Sequence, residues 1–265
     1  MPSPLSSDQI EGVIAWARQA GELAMPYFDR LDTVQNKADQ SFVTPADRAI
    51  DTFLSQKIQE TFPNDGLVSE ESLSGQNGSW PDRIWVIDPI DGTTAFSQGL
   101  TGWGITLGLL VHGQPGFGLF YMPLLDDLTY TRGSDEVYHH RRDLRGAVRT
   151  GWEQQGFLAV TAKSHARFQI DLGITRTMGS SVANLIYTAR GAATATFLPS
   201  PHIWDLVAPA AILQRAGGVL RYLSGREIDY NELLDGRKTT EPVVGGHPDL
   251  LPELARVIRP RLAVI

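Results

Sequence analysis

The chain has no cysteine among its 265 residues, which excludes disulfides, thiolate metal ligands and a cysteine nucleophile. It has no excess of base either: 23 Lys and Arg face 30 Asp and Glu, a formal net charge of −7. A nucleic acid polymer is therefore not an expected partner, because binding its backbone depends on Lys and Arg. A small anionic substrate stays open, since a bound cation reverses the local sign. No apolar run reaches the length of a membrane span, and the first residues, MPSPLSSDQIEG, lack the basic and apolar regions of a secretion signal. The expected location is cytoplasmic, with no membrane partner. Internal repeats, low-complexity tracts and a flexible interdomain linker are also missing. What is present, 42% hydrophobic and 20% charged residues, is the composition of a globular protein with a substantial core.

Apolar residues at Ile10, Val13, Ile14, Ala17, Leu23, Ala24 and Phe28 form the stripe of an amphipathic helix, with Ser7 or Asp8 as its cap. A second helix is expected in VTPADRAIDTFLSQKIQETF, where Thr44 suits the N-cap and Pro45 the first helical position. Between them LDTVQNKADQSFV has no period and reads as a loop. Gly102 to Tyr130 is rich in Gly, β-branched and aromatic residues and reads as antiparallel strands GWGITLGLLV, GFGLFYM and LTYTR. Residues 133–156 read as polar and irregular. From Phe157 the order is strand, helix, strand, helix, strand, an α/β pattern, and HPDLLPELARVIRPRL is expected to form a last helix. Two packed halves of one compact unit are expected: 1–140 with the antiparallel sheet, and 141–265 as the α/β half.

The stretch WVIDPIDGTTAF, 85–96, runs an apolar strand into two aspartates three apart. Four acids, Glu70, Asp88, Asp91 and Asp205, all fall at element ends, where side chains converge on clefts. Each has a simpler explanation alone: Asp205 and Asp91 as helix caps, Glu70 and Glu71 as a solvated pair. Asp47, three after Thr44, has the spacing of a capping-box partner. Jointly they are harder to explain so. Two carboxylates at ~4 Å repel by ~1 kcal/mol in water and roughly 4 kcal/mol at a partly buried effective dielectric. A divalent cation offsets that repulsion, and an all-oxygen ligand set favours Mg²⁺ or Mn²⁺ over Zn²⁺. Gly92-Thr93-Thr94, if it opens a helix, adds free backbone N–H groups for a phosphate. Carboxylates beside such amides point to metal-assisted phosphate hydrolysis.

These residues resemble the inositol monophosphatase family of Mg²⁺-dependent, lithium-sensitive phosphatases. The resemblance rests on SEES at 69–72, on WVIDPIDGTTAF, which follows the pattern W-x-x-D-P-[IL]-D-G-T-[TKR]-x-F, and on IWDLVAPAAILQRAGG at 203–218. It implies an α/β (α+β) fold, a layered α/β/α/β/α sandwich of the inositol monophosphatase and fructose-1,6-bisphosphatase type. By the same resemblance Glu70, Asp88 and the Ile90 carbonyl bind one metal, and Asp88, Asp91 and Asp205 a second. A third, weaker Mg²⁺ would use Glu70 and waters, and Mn²⁺ would substitute. Thr93 and Glu70 would position the attacking water, with Asp47 holding the Thr93 hydroxyl. Gly92, Thr93, Asp91 and Asp205 would meet the phosphate and substrate. Lys37 matches a basic residue on the family's mobile loop, though an exposed lysine explains it equally well. The reaction implied is in-line attack of metal-activated water on a small phosphate monoester, an inositol monophosphate-like cyclitol or sugar phosphate, by a homodimer.

The alternatives on the same fold are histidinol-phosphatase, fructose-1,6-bisphosphatase and 3′-phosphoadenosine 5′-phosphate phosphatase activity. Outside catalysis, the alternative is a silent regulator that binds a phosphate ligand. Two departures from the family bear on substrate. Leu198 stands where animal-type members carry a glutamate that contacts inositol hydroxyls. The basic run His139–Arg149 either supplies cations for a second phosphate or is a solvated loop. His202 and the tryptophans read as packing residues.

Overall fold

The structure, a computed structural model, describes residues 3–30, 35–36, 42–72 and 80–261. Helix α1 (Ser7–Ala24) and helix α2 (Pro45–Thr61) lie side by side and bury one apolar stripe each. Ser6 caps α1 in a reciprocal capping box with Gln9, one residue before the expected cap. Thr44 and Pro45 open α2 as expected. Two short strands, β1 (Gln35–Asn36) and β2 (Phe42–Val43), pair antiparallel between the helices. A seven-stranded sheet follows in chain order: β3 (Gly66–Ser69), β4 (Arg83–Asp91), β5 (Gly104–Val111), β6 (Gln114–Met122), β7 (Asp127–Arg132), β8 (Glu136–His139) and β9 (Arg142–Asp143). Only β3 and β4 are parallel; every later pair is antiparallel. The expectation of irregular chain over 133–156 is corrected at its start. Val137 is buried and its neighbours face out, an alternation carried by only four residues, and β8 and β9 extend the sheet to Asp143.

A short helix, α3 (Thr93–Ser97), follows β4. The second half holds β10 (Leu158–Val160), α4 (Ser164–Arg167), β11 (Phe168–Ile170), β12 (Thr175–Arg176), α5 (Ser181–Ala189), β13 (Ala195–Leu198), α6 (Val207–Arg215), β14 (Val219–Tyr222), β15 (Val243–Gly246), α7 (Leu251–Val257) and β16 (Ile258–Pro260). Five of its strands form a mixed sheet in the order β12-β10-β13-β15-β14, and β11 pairs with β16 apart from it. Helices α1 and α2 cover one face of the large sheet, burying Trp85, Ile87 and Leu107 against Ile50, Leu54 and Ala17. Helices α5 and α6 fill the space between the two sheets. Helix α7 covers the outer face of the second sheet with Leu254. The result is the α/β/α/β/α layering that the family pattern implies. Strand β4 is covered on both faces, which explains its unbroken apolar run. Among the described residues no helix is long and apolar enough to cross a membrane.

Candidate active site

The site forms where β3 and β4 end. Strands β4 and β5 pair in regular register up to Asp88↔Thr106, and the next partners are Asp91↔Gly104. Three steps on β4 therefore match two on β5, which is a bulge of one extra residue. In a regular strand, residues three apart point to opposite faces. The extra residue resets the alternation and brings Asp88 and Asp91 together. Pro89 sits inside the irregularity, where a missing N–H costs no ladder bond. The aspartates thus belong to the strand itself, and not to a turn after it.

Strand β3 supplies Glu70. Its N–H bonds to the Ile87 carbonyl at 3.3 Å, just beyond the Ser69↔Ile87 pairing, so this half-buried acid lies level with Asp88. Asp205 arrives from the other half, at the end of a single 3₁₀ turn, Ile203–Asp205, that precedes α6. Its carboxylate accepts the His202 N–H at 2.7 Å, so it caps that turn and not α6. Asp91 is likewise no cap for α3: it accepts the Val182 N–H at 2.9 Å and so closes the first turn of α5, 91 residues away in the chain. Asp88 accepts the N–H of Ile90 at 3.1 Å.

Asp88, Asp91 and Asp205 are buried, and each offers a carboxylate oxygen within 4.8 Å of the others. At an effective dielectric of 20, that spacing costs roughly 3 kcal/mol for each ionised pair. Burial, followed by the charges of Glu70, Asp91 and Asp205, holds the Asp88 carboxyl well above its usual range. Burial and Asp205 push Asp91 up to about 8 despite its bonds from Ser180 and Val182. Asp205 is raised by burial against the bond from His202. Buried carboxylates that repel one another fit a hard divalent cation, and Glu70 and the Ile90 carbonyl can complete an all-oxygen ligand set.

Gly92 links β4 to α3 with φ +93°, in the left-handed region, and a Cβ there would lie 2.9 Å from that of Ser180. Both facts require glycine, and Gly92 and Thr93 line the cavity. The Thr93 hydroxyl donates to the Ile90 carbonyl at 3.1 Å and not to Asp47. Asp47 is occupied by its own helix: one carboxylate oxygen accepts both the N–H and the hydroxyl of Thr44 at 2.7 Å. Its other oxygen, Oδ1, is buried without a partner, and burial raises its pKa to about 7. Lys37 lies outside the described residues.

A cavity of about 700 Å³ joins Glu70, Asp88, Asp91, Gly92, Thr93 and Asp205. A second, of about 750 Å³, lies elsewhere, beside Arg83, Arg145 and Arg215. Leu198 does not reach the site. It is 1% exposed and packs with Ile84, Val68 and Tyr222 in the apolar layer between sheets. Ser200, two residues on, lines the cavity. The basic run His139–Arg149 lines no part of it either: Arg145 pairs with Asp143 at 2.6 Å, Arg149 with Glu153 at 2.6 Å and His139 with Asp127 at 3.1 Å. His202 stacks on Trp204 with ring centroids 4.5 Å apart, and both line the cavity. Sequence reasoning missed Ser180, Ser181, Lys163 and Lys238, which also line the cavity. Only GSS before α5, an N-cap pattern, offered a signal.

Two parallel strand ends, a bulge carrying paired aspartates and a third aspartate from a facing half define a class: layered α/β proteins with a buried acidic metal site. Residues 7–259 match the model of the inositol monophosphatase family, and the chain belongs to that family, one of metal-dependent phosphatases. It is 28% identical over 228 residues to the fructose-1,6-bisphosphatase/inositol-1-monophosphatase of Thermotoga maritima, covering 83% of this chain and 87% of that one. It is also 28% identical over 263 residues to Nus factor SuhB of Escherichia coli, covering 93% and 94%. An IMPase/NADP phosphatase solved with Mg²⁺ and phosphate shares the fold at TM-score 0.80 and 18% identity, over 94% of this chain and 95% of that chain.

Proposed function

We propose that the protein hydrolyses a small phosphate monoester with Mg²⁺ as cofactor. The observation that carries this reading is the cluster of Asp88, Asp91 and Asp205, three buried carboxylates with oxygens within 4.8 Å. The related phosphatase from Thermotoga maritima and the fold relative solved with Mg²⁺ and phosphate support it. Glu70, Asp88 and the Ile90 carbonyl would hold one ion, and Asp88, Asp91 and Asp205 another. When bound, Mg²⁺ supplies Lewis-acid polarisation of the phosphoryl group and a water that is nucleophilic near neutral pH.

The chain's own groups do the rest. The N–H groups of Gly92 and Thr93, at the start of α3 and on the cavity lining, bind phosphoryl oxygens. The Thr93 hydroxyl and Glu70 orient the attacking water. Asp47 Oδ1, buried without a partner, is assigned to accept the Thr93 hydroxyl in the working site. The Val182 N–H and the His202 N–H, both from the second half, fix the Asp91 and Asp205 carboxylates and preorganise the site. A homodimer is part of the proposal, since dimers are common in the family.

The test is phosphate release from inositol 1-phosphate, fructose 1,6-bisphosphate, histidinol phosphate and adenosine 3′,5′-bisphosphate, each with Mg²⁺ and with chelator. Metal-dependent release from at least one is expected. Release that persists unchanged in chelator contradicts the metal role. Tight binding of a phosphate ligand without any release supports the regulator reading.

A further inference from the structure

We propose that the substrate carries a second anionic group, a phosphate or a carboxylate, on its alcohol portion, and that Lys163 and Lys238 bind it. The inference rests on the proposed function and specifies its substrate class. Both lysines line the cavity that holds the acidic cluster. The cavity, at about 700 Å³, is far larger than a phosphate group and has room for a sugar with charge at both ends.

Several arginines of this half are committed to carboxylates. Arg221 pairs with Glu227, Arg226 with Glu241, Arg237 with Asp235 and Arg259 with Asp171. Among the described residues neither Lys163 nor Lys238 pairs with a carboxylate, although the chain holds more acid than base. Both are exposed side chains on anchored backbone. The His202 ring Nδ1 meets the Gly236 carbonyl at 2.8 Å, and the Thr239 N–H bonds the Pro201 carbonyl at 2.9 Å. Lys238 is thus pinned on both sides to the segment that carries Asp205, while its neighbour Arg237 is committed to Asp235. Lys163 lies in a turn closed by the Ser164 N–H to Thr161 carbonyl bond at 3.0 Å, with the two hydroxyls also 3.0 Å apart. The acids of the cavity take the scissile phosphate with its cations, and the Lys or Arg side chains that line the cavity are Lys163 and Lys238. A second anionic group therefore has one favourable position, against the two lysines.

The test compares kcat/KM of the Mg²⁺-loaded protein for glucose 1-phosphate, glucose 1,6-bisphosphate and glucuronic acid 1-phosphate. These share the pyranose and the C1 phosphate and differ only at C6; glucose 6-phosphate as product marks C1 cleavage of the bisphosphate. The expected preference for a charged C6 group is about tenfold, carried mostly by KM, from two partly solvated ion pairs. In Lys163→Gln/Lys238→Gln the ratio collapses to about one, a readout that a general loss of activity does not move. Whether the bisphosphate or the glucuronate gains more identifies the anion. A wild-type ratio near one, a ratio that survives in the double variant, or an equal loss on all three substrates overturns the proposal; the last would mean steering only. If none of the three is hydrolysed, the proposed function fails on these sugars. Calorimetric Kd ratios for the same ligands then read the lysines independently, with the same outcomes deciding.

Discussion

Replacing Asp91 by asparagine should stabilise the metal-free protein while removing its metal affinity. Asp91 is 4% exposed, and its carboxyl is pushed from 3.8 to about 8, by burial first and Asp205 second. A carboxyl with a raised folded pKa is protonated more readily in the native state than in the unfolded chain. Its destabilising effect is therefore absent below 3.8, grows as pH rises, and is complete above about 8. About four pH units at ~1.4 kcal/mol each give roughly 6 kcal/mol at the upper limit, about 5 near pH 7.5 and about 2 near pH 5. Relaxation of the site and water entry reduce such figures by about half. Asp91→Asn keeps an acceptor for the Val182 N–H, and its amide nitrogen can donate to the neighbouring carboxylates. The expected gain is thus about 2–3 kcal/mol near pH 7.5 and about 1 kcal/mol near pH 5. Urea denaturation in chelator at the two pH values measures it. With saturating Mg²⁺ the order should reverse, because only the wild type gains binding energy. A variant less stable than wild type in chelator, or a gain that grows as pH falls, would refute the reasoning.

Three further substitutions test separate parts of the molecule. Leu198→Ala should cost about 2–5 kcal/mol by thermal denaturation and leave the order of substrate preference unchanged, because the side chain fills the core and not the cavity. Gly102→Ala should cost more than about 3 kcal/mol and lower activity: a Cβ there would lie 1.6 Å from the Met178 carbonyl and push away the segment leading to Ser180 and Val182. Ser6→Ala should cost about 1 kcal/mol through loss of the capping box, with kcat/KM unaffected, since that cap is remote from the carboxylates.

What the sequence made legible were features carried by local pattern. The apolar stripe of α1, the Thr44-Pro45 start of α2 and the strand run of β5 to β7 all encode their own boundaries. The cap of α1 was displaced by one because three polar residues, Ser6, Ser7 and Asp8, stand in a row and only the reciprocal bond to Gln9 distinguishes the first. Strand β15 was missed because its short VVGG run lacks a period. The acidic cluster was legible as a set of acids at element ends. Its cause, a bulge, was not, because a bulge is a property of register against β5 and not of β4 alone. The packing of Leu198 between the sheets was not legible, because a fixed distance from Asp205 along the chain does not specify which way a side chain points. Lys163 and Lys238 carry no motif; only folding brings their two loops to one cavity.

The most direct measurement is phosphate release by the wild type and by Asp88→Asn over a Mg²⁺ titration, with chelator as the zero point. Release that saturates with Mg²⁺, falls to the blank in chelator and drops at least about a thousandfold in the variant is the expected result. Release indifferent to chelator, or a variant that turns over at the wild-type rate, would contradict the assignment of the Asp88, Asp91 and Asp205 cluster as the catalytic metal site.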